Sequence, residues 1–190
     1  MGENTLTSAL RGHLDLESRR FNKIFIFETQ AEQGSSSSGR GNKRTIDISI
    51  STTESKGFYV FCLEAKWIYA KDYVTQNTGA IKRFKKCEHG LSSTNPSNCY
   101  PLSINGIVAY AHYNDFQNKM DRINGEIDQL CKGVQPDEYG LNWIDSEKLA
   151  FLKIYRKDHF PGSEIFRLIS EHPRIAHSPL TLHHFWVSVN

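Results

Sequence analysis

The run Phe58-Tyr59-Val60-Phe61-Cys62-Leu63-Glu64-Ala65-Lys66-Trp67 constrains this chain more than any other segment. Apart from Glu64 and Lys66 it is apolar and rich in aromatic residues, so it reads as a buried β-strand. Side chains alternate along a strand, which puts Glu64 and Lys66 on the same face. A carboxylate in such a setting costs free energy unless it is paired or bound to a cation. Whatever packs against this strand must therefore supply Glu64 with a partner.

The segment just upstream offers one. Arg44-Thr45-Ile46-Asp47-Ile48-Ser49-Ile50 alternates as a second strand, and Thr52-Thr53-Glu54-Ser55-Lys56-Gly57 reads as the hairpin connection between the two. The pattern places Ile46, Ile48 and Ile50 on the core face and Asp47 on the opposite one. An antiparallel register setting Asp47 opposite Cys62 or Glu64 brings two carboxylates and a lysine to one surface. Carboxylates that close repel unless a cation lies between them, and hard oxygen ligands favour Mg²⁺ or Mn²⁺. An acid-x-lysine triplet by itself arises by chance, and a charge on a strand is ordinarily part of its solvated face. The apolar run around Glu64 sets this triplet apart.

Hydrophobic content of 38% over 190 residues suits one globular α/β domain spanning 1–190. Leu6, Ala9, Leu10 and Leu14 have helical spacing within 4–20, and Lys23–Glu28 is a first strand. The stretch 32–43, with Gly34-Ser35-Ser36-Ser37-Ser38-Gly39 inside it, is expected to be a mobile loop. A helix is expected over Val74–Cys87, a loop to Pro101, a strand over Ile104–Tyr113 and an amphipathic helix over Asp115–Leu130. Further strands follow, including Leu149–Lys157 and Leu180–Val189. There is no internal repeat.

Net charge is only +2, so nucleic-acid binding would have to rest on local clusters. Lys82, Arg83, Lys85 and Lys86 are one, either a phosphate-binding helix face or a solvated one. Arg40, Lys43 and Arg44 beside the Ser/Gly stretch are another. No run approaches 18 apolar residues, and the N-terminus lacks the pattern of a secretory leader. Cys62, Cys87, Cys99 and Cys131 have no disulfide-framework spacing, so the expectation is a cytoplasmic protein with reduced thiols and no membrane contact. Cys87, His89 and Cys99, with Cys131 or His112, have zinc-ligand chemistry, but Cys99 lacks a partner at the usual short spacing. His183 and His184 alternate on a strand, so one of them should face the core.

Asp47 on one strand and Glu64-Ala65-Lys66 on the next resemble the PD-(D/E)XK nuclease superfamily, whose fold is restriction-endonuclease-like. The similarity extends to Glu3-x-x-Leu6-Thr7, Gly79-Ala80-Ile81-Lys82-Arg83-Phe84, Gly106-Ile107-Val108-Ala109-Tyr110, Ser170-Glu171-His172-Pro173-Arg174 and Leu182-His183-His184-Phe185-Trp186, which look like those of small bacterial or phage members. One position departs: Ile46 stands where a proline commonly precedes the acid. The resemblance implies an α/β/α sandwich with a mixed central sheet, here with extra C-terminal strands. It implies a metal-dependent endonuclease that hydrolyses phosphodiester bonds, with DNA the favoured substrate and restriction or phage defence the setting.

By the same resemblance Mg²⁺ (or Mn²⁺) is held by Asp47, Glu64 and the carbonyl of Ala65, while Lys66 orients water or stabilises developing charge. Glu3 is a supplementary acid, although an acid in a first helical turn also suits the helix dipole; Glu28 ranks below it. Lys82, Arg83, Lys85, Lys86 and Arg44 are the candidate nucleic-acid contacts, and a homodimer or a regulatory or targeting protein is a candidate partner. A catalytically silent module binding nucleic acid or protein, a ribonuclease with the same site, and a zinc-stabilised interaction protein are the alternatives. No role for His172 and Arg174 follows from the residues.

Overall fold

The computed structural model describes residues 3–21, 25–32, 45–55, 58–68, 70–76, 79–93, 99–112, 115–133, 141–156, 164–174 and 177–189. The Ser/Gly stretch 33–43, along with Arg44, lies outside them. Helix α1 (Glu3–Arg20) is followed by three strands, β1 (Phe25–Glu32), β2 (Thr45–Thr52) and β3 (Tyr59–Trp67). These form an antiparallel meander. Two short helices, α2 (Ala70–Val74) and α3 (Ala80–Lys85), then lead to β4 (Ile104–His112), which lies parallel to β3. Parallel neighbours need such a crossover, because a hairpin turn cannot join them. Helix α4 (Phe116–Cys131) precedes β5 (Ala150–Arg156), β6 (Glu164–His172) and β7 (Leu180–Val189). The last strand inserts beside β4, giving a seven-stranded mixed sheet in the order β1-β2-β3-β4-β7-β6-β5.

Each face of the sheet is apolar and each is covered. Leu6, Leu10 and Leu14 of α1 pack over Phe27, Ile48, Leu63, Ala65, Val108 and Tyr110. On the other face, residues of α2, α3 and α4, among them Tyr73, Phe84 and Ile127, cover Cys62, Ile107, Ala109, Leu182 and Trp186. The molecule is thus mixed α/β, with helices on both sides of one sheet. Gly106 of β4 is required by its neighbours: a Cβ there would lie 2.5 Å from Leu63 Cδ2 and 2.9 Å from Phe61 Cζ. Among the described residues no helix is long and apolar enough to cross a membrane.

Three expectations need correction. The first strand runs past Glu28 to Glu32, because its ladder with β2 continues to Glu32↔Thr45, and Lys23 and Ile24 lie outside the described residues. The helix expected over Val74–Cys87 is shorter: α3 covers Ala80–Lys85, Val74 ends the separate helix α2, and Asn77 and Thr78 lie outside the described residues. The backbone folds so tightly at Gly79 that a Cβ would sit 2.8 Å from the Val74 carbonyl oxygen. Finally, Ile46 does not share a face with Ile48 and Ile50. Ile48 and Ile50 join the cluster under α1, while Ile46 joins the one under α2–α4. Strand alternation breaks between Ile46 and Ile48, and Asp47 stands at the break.

Candidate active site around Glu64

Strands β2 and β3 pair as far as Ile48↔Leu63, and Asp47 is the next residue along. Its Oδ2 accepts a hydrogen bond from the Ala65 backbone N–H at 2.8 Å, so a side chain takes over where the ladder stops. Its Oδ1 accepts from Gln30 Nε2 at 2.9 Å. Gln30 lies on β1 with φ of 55°, a left-handed conformation that non-glycine residues seldom adopt in a strand. Its Oε1 in turn accepts from Thr45 Oγ1 at 3.2 Å. Local strain of this kind persists where surrounding contacts over-determine it, and here those contacts aim Gln30 at Asp47.

Glu64 is 2% exposed, on the β3 face covered by α3. Its Oε1 receives Arg83 Nη1 at 2.7 Å and Lys66 Nζ at 3.0 Å. His89 Nδ1 lies 3.0 Å from Oε2, but without the alignment of a hydrogen bond. Glu64 Oε2 and both His89 ring nitrogens are buried and lack a hydrogen-bond partner. Burial would raise the Glu64 carboxyl, yet His89, Lys66 and Arg83 together outweigh it and hold the group at about 2. Arg83 also sets the loop that brings His89 in. Its carbonyl accepts from Glu88 N–H at 2.9 Å and from His89 N–H at 3.3 Å. Cys87, between them in sequence, turns with φ of 56°.

The basic run on α3 does not form one phosphate-binding face. Helical spacing turns its members in different directions: Lys82 is 2% and Lys85 4% exposed. Lys85 is bound to Glu147, and Lys86 pairs with Glu88 at 2.8 Å. Arg83 alone of the four reaches Glu64. Arg44 lies outside the described residues, as does the side chain of Glu3. The helix bearing Glu3 packs on the sheet face opposite to Glu64. Glu28 is engaged elsewhere, its Oε2 accepting from Tyr59 OH at 2.8 Å. Of the candidate zinc ligands, His89 is turned toward Glu64, and among the described residues no group of three or more His, Cys, Asp or Glu side chains converges on a metal position. The roles of Gln30, Arg83 and His89 around the two acids had no sequence signal, because all three depend on how loops and the splayed strand fold back.

The fit to a hard cation rests on Glu64 Oε2, a buried carboxylate oxygen that no aligned hydrogen bond engages, with His89 Nδ1 facing it at 3.0 Å. Asp47 and the Ala65 carbonyl belong to the same hard-oxygen class, so the donor chemistry suits Mg²⁺ or Mn²⁺.

A second polar cluster lies under α2–α4 on β6 and β7. Lys85 Nζ and His172 Nδ1 both reach Glu147 Oε2 at 2.5 Å, and Ile144 N–H donates to Oε1 at 2.9 Å. His172 Nε2 is 2.7 Å from Ser170 Oγ, which is 2.7 Å from His184 Nε2. His184 Nδ1 is 2.7 Å from Tyr73 OH, and Trp186 Nε1–H donates to that hydroxyl at 3.1 Å. Indole can only donate, so Tyr73 OH accepts from Trp186, and with both imidazoles neutral a single proton order satisfies every link. Tyr73 donates to His184, His184 to Ser170, Ser170 to His172, and His172 to the Glu147 carboxylate. Burial favours those neutral rings, pushing His172 and His184 below the usual histidine range. Of His183 and His184, one is expected to face the core, and it is His184. Arg174 Nη2, nearby in sequence, donates to the Leu102 carbonyl at 3.0 Å.

Comparison with protein-family models, with curated proteins and with solved structures finds no match to this chain.

Proposed function

We propose that this protein is a metal-dependent nuclease with a restriction-endonuclease-like core, acting on DNA. The observation that carries the reading is the pairing of Asp47 with Ala65. The acid of one strand is tied by a 2.8 Å hydrogen bond to the middle residue of the Glu-x-Lys triplet on the next. The order helix, three-strand meander, crossover, parallel strand supports the same core, with β5, β6 and β7 as the extra C-terminal strands.

Asp47, Glu64 and the Ala65 carbonyl would hold the Mg²⁺ or Mn²⁺ ion. Such an ion polarises a phosphoryl oxygen and makes bound water a better nucleophile at neutral pH. The chain's own contributions are positional and electrostatic. Gln30 and the Ala65 N–H fix both oxygens of Asp47. Lys66 lies beside Glu64 with its ammonium donors at the site, placed to stabilise negative charge that develops on the phosphate. Arg83 supplies a planar guanidinium suited to a phosphate oxygen. DNA is preferred over RNA on the resemblance alone; a homodimer or a targeting partner would supply recognition.

The test is cleavage of labelled single- and double-stranded DNA and RNA with Mg²⁺, Mn²⁺ or EDTA. Asp47→Ala and Lys66→Ala should each lower cutting by about a hundredfold or more, in line with the loss of a site charge. Metal-dependent cutting that survives both substitutions would place the activity elsewhere or in a contaminant. A silent wild type that still retains DNA would favour the binding-module alternative.

A further inference from the structure

We infer that cation binding at this site is coupled to the arrival of a phosphodiester, with Arg83 as the residue that couples them. The inference rests on the nuclease reading above. Its starting point is charge: Glu64 carries one negative charge, and two permanent cations, Arg83 and Lys66, already share its Oε1 at 2.7 and 3.0 Å. The His89 ring occupies the side of Oε2. A divalent cation held by this carboxylate and Asp47 therefore adds to a neighbourhood whose two acids are already matched by two permanent cations. In a site where Glu64 is 2% exposed, water screens that excess poorly. An anion must come with the cation, or one of the resident cations must leave.

Arg83 is the one placed to move. Its side chain is 19% exposed, and its backbone is independently anchored, since its carbonyl holds the amides of Glu88 and His89. The guanidinium can leave Glu64 without undoing the loop. A phosphodiester oxygen offers it a planar, charge-assisted bond in exchange. In the free protein Arg83 neutralises Glu64. In the loaded protein it holds the phosphate, and Glu64 is released to the cation. Each ligand then favours the other, and linkage requires the effect to be mutual.

The experiment measures Mn²⁺ affinity by electron paramagnetic resonance, with and without a short phosphorothioate-linked DNA duplex, for wild type, Arg83→Gln and Arg83→Lys. Mn²⁺ bound by the duplex alone is subtracted. Wild type should bind Mn²⁺ about tenfold more tightly with the duplex present, within the range usual for coupled sites. Arg83→Gln should bind free Mn²⁺ more tightly than wild type and lose most of the enhancement. Arg83→Lys keeps the charge and so should stay weak for free Mn²⁺, with a smaller enhancement; it also provides the comparison should the glutamine variant fail to fold. Equal Mn²⁺ affinity with and without duplex would overturn the coupling and leave the nuclease reading standing. No Mn²⁺ binding by wild type under either condition would overturn both.

Discussion

Glu64 and Glu147 are both buried carboxylates with a lysine and a histidine against them, yet their surroundings are finished to different degrees. Around Glu147 the accounting closes. Its oxygens take donors from Ile144, Lys85 and His172, and each further polar group out to Trp186 has its bond. Around Glu64 it does not: Oε2 and both nitrogens of His89 are buried without aligned hydrogen bonds, although two cationic side chains and the His89 ring stand close by. A saturated buried network fixes helices to a sheet and leaves nothing over for a ligand. An incomplete one retains capacity, which is why the candidate site is placed at Glu64 rather than at the Ser170-His172-Glu147 constellation. That trio has the residue types of a hydrolase triad but is sealed, with Ser170 only 3% exposed.

Breaking the closed network should produce the largest effect. Glu147→Gln leaves Lys85, 4% exposed, and His172 without their counter-charge. The expected loss is about 3–5 kcal/mol of stability in urea unfolding, typical of stranding one member of a buried pair. Adding Lys85→Met to it should cost far less than the sum of the two single changes, because the stranded charge is gone. Lys66→Ala makes the contrast. Its side chain is 15% exposed and shares Glu64 with Arg83, which stays behind as counter-charge, so its removal should cost clearly less than the Glu147 change while cleavage collapses. Equal destabilisation by the two changes would erase the distinction between the clusters.

Acid should separate the clusters next, in two windows. His172 and His184 are held neutral, with folded pKa values below the ordinary 6.5. The unfolded chain takes up protons below that pH and the native state does not, so stability falls as pH drops from 6.5. The slope approaches about 1.4 kcal/mol per pH unit for each buried ring. Glu64 acts lower down. Its folded value of about 2 against an ordinary 4.5 makes its contribution fully present above 4.5 and lost as pH falls toward 2, about 3 kcal/mol in all. Chemical denaturation across pH should show His184→Gln flattening the upper window only and Glu64→Gln the lower one only. A wild-type stability that stays level between pH 6.5 and 5 would mean the histidine relay is not held neutral.

Much of this was legible in the chain because strand and helix periods are local. The alternation in β2 and β3, the stripe on α4 and the β7 pattern each depend on a few consecutive side chains. The link between Asp47 and the Glu64-Ala65-Lys66 triplet was legible for the same reason: pairing of β2 with β3 brings Asp47 to the Ala65 amide. The basic run on α3 misled because four charges in five residues look like a face, whereas a short helix packed on a sheet turns Lys82 and Lys85 inward. The relay was invisible, since its members come from α2, the turn at Asp145–Glu147, β6 and β7, and only the strand order β7-β6 places them together. Arg83 and His89 join Glu64 through a non-glycine positive-φ turn at Cys87, for which the sequence carries no signal.

Gln30 offers the finest test of the open cluster. Its side chain is exposed and its bond to Asp47 is a single one, so Gln30→Ala should change stability by less than about 1 kcal/mol. Cleavage should fall several-fold, because Asp47 loses the partner that fixes one of its oxygens. Gln30→Gly separates strain from positioning. Glycine adopts φ of 55° without penalty, so this variant should be no less stable than Gln30→Ala while showing the same loss of cleavage. If Gln30→Gly cut as fast as wild type, the left-handed turn would be an incident of the β1 edge, and Asp47 would be held well enough by the Ala65 amide alone.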